Sequence, residues 1–249
     1  MRSSGMAAGC VIVIPARYRS SRFPGKVLAP LQGRPMIEHV VRRASRARGI
    51  DEVMVATDDE RIRGAVEAFG GKAVMTSPEH RCGTDRVAEL ARGLAAGTEI
   101  VVNLQGDEPL IDPRAIEAVI EPLRTDTGLP AATLMKRITD EGELHDPNVV
   151  KVVVDREGFA LYFSRACIPH LRKPGSGEVY KHVGLYAYRR RFLLELASLE
   201  QTPLEKAESL EQLRILEHGH RLKVVETDFR SLNVDTPEHL ARAAALLED

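Results

Sequence analysis

Cys10, Val11, Ile12, Val13, Ile14 and Pro15 form an unbroken apolar run closed by proline. A strand that is apolar at every position must be covered on both faces, as a central strand of a parallel sheet is by helices above and below. The segment behind it, residues 16–26, carries four cations and a glycine, and Pro35 then opens a stretch with Met36, Ile37, Val40 and Val41 at helical spacing. Proline suits a first helical turn, so strand, loop and helix make an opening βα unit. The alternation repeats, with 52–57, 72–75 and 99–104 reading as strands and 60–69, 84–95 and 113–123 as helices. It predicts an α/β fold with a doubly wound, mostly parallel sheet and right-handed crossovers.

The rhythm changes after Pro130. Residues 131–137, 149–155 and 159–164 read as strands with short connections, the last two joined by a turn at Arg156, Glu157 and Gly158 that suggests a hairpin. This stretch is expected to be an antiparallel insertion. Residues 180–188 are a further strand, 204–217 a helical pattern broken near Ser209, and 221–226 and 237–247 a closing strand and helix. The expected organisation is one domain over residues 10–249, to which residues 131–190 contribute an inserted lobe. At 249 residues and 43% hydrophobic content, one large core suffices.

A formal charge of −1 provides no long-range field for nucleic acid or an anionic membrane, so any anionic ligand must be gripped locally. The cysteines Cys10, Cys82 and Cys167 are odd in number and far apart, which fits neither a disulfide framework nor a zinc site and leads us to expect a reducing cytoplasm. Residues 1–9 hold no apolar run and no stretch of about 18 apolar residues occurs, so neither a signal peptide nor a membrane span is expected.

The basic loop lies just beyond the carboxyl end of the first strand, where open α/β sheets bind ligands. Its backbone N–H groups suit phosphate oxygens, and Arg17, Arg22 and Lys26 can neutralise a triphosphate. A solvated basic loop is the competing reading. It is not a Walker loop, because Gly25 and Lys26 are followed by Val27 and lack the earlier glycine. No Gly-x-Gly-x-x-Gly follows the strand either, which disfavours a dinucleotide site. Asp107, in the turn after Val101, Val102, Asn103, Leu104, Gln105 and Gly106, is delivered to the same sheet edge. Asp235 precedes Thr236 and Pro237, where local sequence alone favours a helix N-cap. One or two carboxylates with water satisfy magnesium, the hard cation that nucleotidyl transfer needs.

Taken together, these segments resemble the 3-deoxy-manno-octulosonate (Kdo) cytidylyltransferases over nearly the whole chain. The resemblance rests on an ordered set of blocks: Ile14 to Tyr18 with Pro24 to Lys26, Ala56 to Asp58, Gly83 to Arg86, Asn103 to Pro109, and Tyr162 to Arg165. It continues through Lys181 to Tyr186, Leu210 to Arg214 and Val234 to Pro237. It implies a nucleotide-binding α/β sheet with a smaller antiparallel dimerisation region, a homodimer, and transfer of CMP from CTP to Kdo for lipopolysaccharide synthesis. It assigns CTP binding to Pro15, Ala16, Arg17, Arg22, Lys26, Cys82, Gly83, Arg86 and Asp107, with Gly83 and its neighbours at the cytosine. Arg17, Lys26, Asp107 and Asp235 would be catalytic, the two aspartates holding Mg2+. The sugar acid would meet Gln105, Arg165, His182, Tyr186, Glu211 and Gln212, with Arg165 able to clasp a carboxylate as a bidentate fork.

Two departures stand out. Cys82 occupies the place where the family has serine, which weakens a hydrogen bond near the base. The connection over residues 168–179 is short, and some relatives with a similarly short connection use an amino-substituted Kdo, so 8-amino-Kdo is an alternative substrate. Sialic acid and a catalytically silent nucleotide-binding protein are further alternatives. Asp58 and Asp59 read as the start of a helix rather than as chemistry, and the spacing of His218 and His220 does not imply zinc.

Overall fold

A computed structural model describes residues 8–19, 23–80, 82–173, 177–229 and 232–247. The apolar run becomes β1 (Gly9–Ala16), in which Ile12, Val13 and Ile14 have no exposed surface. A 3-10 turn at Lys26–Leu28 leads into a small hairpin, β2 (Pro30–Leu31) and β3 (Arg34–Pro35), and then α1 (Met36–Ala44). There follow β4 (Glu52–Thr57), α2 (Glu60–Ala68), β5 (Lys72–Met75), α3 (Gly83–Arg92), β6 (Thr98–Asn103) and α4 (Pro113–Thr125). The second half runs β7 (Ala131–Arg137), α5 (Glu141–His145), β8 (Lys151–Val154), β9 (Ala160–Ser164) and β10 (Tyr180–Arg189). It closes with α6 (Arg190–Leu196), α7 (Pro203–Glu208), α8 (Gln212–Glu217), β11 (Leu222–Glu226) and α9 (Pro237–Leu247).

The main sheet has the order β11-β7-β10-β6-β1-β4-β5, with β8 and β9 branching from β10. The β6-β1-β4-β5 run is parallel, as the apolar runs predict. β10 runs antiparallel between β6 and β7, and β11 is parallel to β7. Residues 131–190 therefore supply β7 and β10 to the main sheet, and only the β8–β9 hairpin leaves the main strand order.

Helices cover both faces. Ile12 and Ile14 of β1 pack with Ile37 and Val40 of α1 and with Ile116 and Val119 of α4, while Val11 and Val13 face Val87 and Ala91 of α3 and Leu193 of α6. Because β4 leaves β1 on one side and β6 on the other, the strand order reverses at β1, and a crevice opens beyond its carboxyl end. A third apolar cluster joins Leu31 and Met36 to Val234 and Ala243, which pins α9 and the segment before it beside that crevice.

Candidate active site

Three loops converge on the crevice. The first leaves β1 and returns at Gly25, whose N–H donates to the Tyr18 carbonyl at 2.8 Å and whose φ is 71°. A Cβ at Gly25 would stand 3.0 Å from the Tyr18 ring, so glycine is needed both for the left-handed backbone and for the close approach. The second loop follows β6 through Gly106 to Asp107. The third precedes α9, where the Val234 N–H donates to the Asp107 carbonyl at 2.9 Å and ties the two aspartate-bearing segments together.

Lys26 stands where they meet. Its Nζ is 2.5 Å from Asp107 Oδ2 and 2.9 Å from Asp235 Oδ1. Burial opposes the ammonium charge, but the two carboxylates outweigh it and raise the pKa above the ordinary lysine value. The other oxygen of Asp107, Oδ1, is buried and has no hydrogen-bond partner among the described residues. Such an orphaned carboxylate oxygen costs free energy unless a ligand completes it. A hard cation would do so, and two carboxylates are a donor set that magnesium accepts. Asp235 thus faces Lys26, and its backbone N–H meets His239 Nδ1 at 3.3 Å. The Thr236 hydroxyl accepts the His239 N–H at the start of α9.

Two adjoining cavities share Arg17, Gln105 and Asp107 in their walls. The smaller, about 520 Å³, is lined by Pro15, Ala16, Arg17, Arg19, Lys26, Gly106, Asp107 and Asp235, which makes it the cationic, phosphate-sized end. Arg19 had no role assigned from the motifs, although it belongs to the same basic run. Arg22 lies outside the described residues.

The larger cavity, about 580 Å³, is lined by Cys82, Gly83 and Thr84 on one side and by Tyr186, Glu211 and Gln212 on the other, with Arg165 at its rim. The amino end of α3 faces it, so main-chain N–H groups and the positive end of a helix dipole are presented to a ligand. A Cβ at Gly83 would lie 3.3 Å from the Pro15 ring, so any side chain there would press on that proline. Cys82 caps α3, its Sγ accepting the Asp85 N–H at 3.4 Å, and burial with the nearby Glu211 raises its thiol pKa far above the usual value. The Thr84 hydroxyl donates to Glu211 Oε2 at 2.8 Å, linking the α3 and α8 walls. Asn103, Gly184, Tyr188, Ser209 and Asn233 also line the cavity, and the sequence blocks alone had assigned them nothing. Buried Asn103 carries the clearest signal, a polar residue closing an apolar strand; its Oδ1 accepts from Gln105 Nε2 at 3.3 Å.

A bulge in β10 shifts its register to β7 between Val183 and Tyr186, and bulges characteristically re-aim side chains beside sites. Tyr186 lines the cavity and stacks on Tyr188 with centroids 5.6 Å apart. Burial raises both phenol pKa values.

Two expected contacts lie elsewhere. Arg86 lines neither cavity; it is 3% exposed, paired with Asp58 at 3.1 Å and bonded to the Thr76 hydroxyl at 2.5 Å. Asp58, read as a helix-start residue, is thus an anchor for α3, while Asp59 caps α2 by accepting the Arg61 N–H. His182 also lines neither cavity. Its Nε2 is 2.9 Å from the Thr133 hydroxyl, which donates its single proton to the Val183 or Leu185 carbonyl. The ring must therefore be the donor in that contact, and burial lowers its pKa to about 3. Arg165 reaches the rim, with its guanidinium already donating to the carbonyls of Glu208 at 2.7 Å, Pro147 at 2.9 Å and Ser209 at 3.4 Å.

Comparison with known proteins shows the family to which this sequence and fold belong. The family model described as Cytidylyltransferase matches residues 11–224. The 3-deoxy-manno-octulosonate cytidylyltransferase of Geotalea daltonii is 53% identical, over 95% of this chain and 97% of its own length. The 8-amino-3,8-dideoxy-manno-octulosonate cytidylyltransferase of Shewanella amazonensis is 54% identical, over 93% of this chain and 95% of its own. A solved structure of a CMP:2-keto-3-deoxy-manno-octonic acid synthetase complexed with CTP superposes with a TM-score of 0.92 at 47% identity, covering 96% of this chain and 98% of that one. Fold and relatedness along nearly the full length agree, and the chain belongs to the 3-deoxy-manno-octulosonate cytidylyltransferase family.

Proposed function

We infer that the protein transfers CMP from CTP to the anomeric hydroxyl of Kdo, releasing pyrophosphate and forming CMP-Kdo for lipopolysaccharide synthesis. A bond forms between the anomeric oxygen and the α-phosphorus, the α–β anhydride bond breaks, and the hydroxyl proton leaves to solvent. The observation that carries the reading is the meeting of Lys26, Asp107 and Asp235 at the mouth of the cationic cavity. CTP would place its phosphates there, against Lys26, Arg17 and Arg19, and its base near Gly83 at the α3 end of the larger cavity. The sugar acid would lie between Gln105, Tyr186, Glu211 and Gln212, its carboxylate toward Arg165. This alignment supplies most of the catalysis, since a bound nucleophile in line with its leaving group replaces a bimolecular encounter.

Asp107 and Asp235 would hold magnesium, which when bound neutralises phosphate charge and makes the attacking hydroxyl more acidic. Arg17 makes no ion pair among the described residues and so keeps its charge for the phosphates. His182 and Arg86 act from behind, the first by supporting the β10 bulge and the second by fixing α3. The resemblance to the family supports a homodimer as the functional unit, and the three free thiols fit a reducing cytoplasm.

Pyrophosphate release with CTP, magnesium and Kdo, with ATP, GTP and UTP as controls, tests the reading. Sugar-dependent release with CTP alone is expected. No release with Kdo, or release with every nucleotide, contradicts it. The relative from Shewanella amazonensis favours one second reading, transfer to 8-amino-Kdo, which the same assay separates by comparing kcat/KM for the two sugars.

A further inference from the structure

Lys151 opens β8 and has no exposed surface. Its Nζ donates to three main-chain carbonyls, those of Asp146 at 2.9 Å, Val149 at 2.6 Å and Arg165 at 2.8 Å. All three ammonium protons are thereby used, and none goes to a carboxylate. A buried ammonium is expensive to desolvate, and here the three carbonyl bonds offset that cost, so an aliphatic residue in its place would leave those carbonyls without their donor. Burial does lower its pKa, with Arg165 adding to the effect while Cys167, Asp146 and Glu208 oppose it.

The three carbonyls share one feature: they surround Arg165. One belongs to Arg165 itself, and the other two frame Pro147, whose carbonyl receives the Arg165 Nη1 proton. The Glu208 carboxylate adds to the clamp by accepting the Arg165 N–H at 3.0 Å and the Ser164 hydroxyl at 2.6 Å. Of the five guanidinium N–H groups, three point at carbonyls, which leaves one on each Nη for a ligand at the cavity rim. The local charges are the two cations against the carboxylates of Asp146 and Glu208.

We propose that Lys151 is a positioning residue for the sugar acid: it locks the Arg165 main chain to the 146–149 turn and so holds the guanidinium at the rim. The proposal rests on the CMP-transfer reading. It differs from a purely structural role in affecting one substrate and not the other.

Pyrophosphate release is measured with sugar varied at saturating CTP and with CTP varied at saturating sugar, for wild type, Lys151→Met, Lys151→Gln, Arg165→Met and the Lys151→Met/Arg165→Met double variant. Lys151→Met should raise the sugar KM about tenfold and leave the CTP KM within about twofold. Lys151→Gln keeps amide donors without the charge, and an intermediate value is expected. The double variant should be no worse than Arg165→Met alone, because the lysine acts through the arginine. An unchanged sugar KM in both lysine variants, a parallel rise in both KM values, or full additivity with Arg165→Met overturns the proposal. If Lys151→Met fails to fold, Lys151→Gln decides between these outcomes by the same criteria. Absence of sugar-dependent release in the wild type is instead the failure of the CMP-transfer reading itself, and takes this inference with it.

Discussion

Lys26 meets carboxylates from two segments, 81 and 209 positions away in the chain. The ammonium offsets repulsion between the aspartates, so Lys26→Met should destabilise the protein by about 1–2 kcal/mol, less than a fully buried pair because the groups retain some exposure. Added Mg2+ should recover part of that loss, which thermal denaturation with and without the ion would measure. Behind the cavity, His182 titrates far below the ordinary value near 6.5, at about 3. The unfolded chain then binds this proton more readily than the folded one, so stability is full above about pH 6.5 and falls as pH drops toward 3. Urea midpoints at about pH 7 and about pH 5 should differ in the wild type, and His182→Gln should reduce the difference. The aspartates and the basic loop were legible as residue types at a sheet edge. The placements of Arg86 and His182 were not, because a motif fixes spacing and says nothing of which face of a helix or strand a neighbour will cover.

Among the elements, α7 and α8 show how a short segment is held. The Glu205 carboxylate, accepting the Thr202 N–H at 3.2 Å, caps the start of α7, and Ser209, with φ of 51°, ends it in the left-handed region. Neither helix is long enough to stand alone, so tertiary contacts must hold them. Glu205 supplies one by pairing both its oxygens with Arg214 of α8, at 2.5 and 2.8 Å, in a buried setting. Glu205→Ala would leave the guanidinium buried without a counterion and should cost about 3 kcal/mol in chemical denaturation. It should also raise the sugar KM, because Glu211 and Gln212 lie on the segment it anchors. The break near Ser209 was visible in the disturbed spacing of the leucines. The β2–β3 hairpin was not, since two-residue strands have no periodicity, and α6 was missed because β10 runs into it without a glycine or proline between.

For the whole molecule, the apolar runs announced a parallel α/β sheet, but they could not say which strands become neighbours. β7 and β10 read as parts of an insertion because their connections are short; pairing instead draws them into the main sheet, with β10 antiparallel between β6 and β7. That pairing builds the larger cavity, since β10 carries Gly184, Tyr186 and Tyr188 to its wall. The strand-order reversal at β1 does the rest, by opening the crevice into which the three loops descend. Turnover therefore depends on distant segments acting as one chemical unit around Asp107 and Asp235. The most direct measurement is a double-mutant cycle on turnover, followed as pyrophosphate release from CTP at saturating Mg2+ and Kdo. Asp107→Ala and Asp235→Ala should each lower kcat on the order of 10²-fold, and the double variant should be scarcely worse than the weaker single one. Near-normal turnover in either single variant, or losses that multiply in the double, would contradict a shared site.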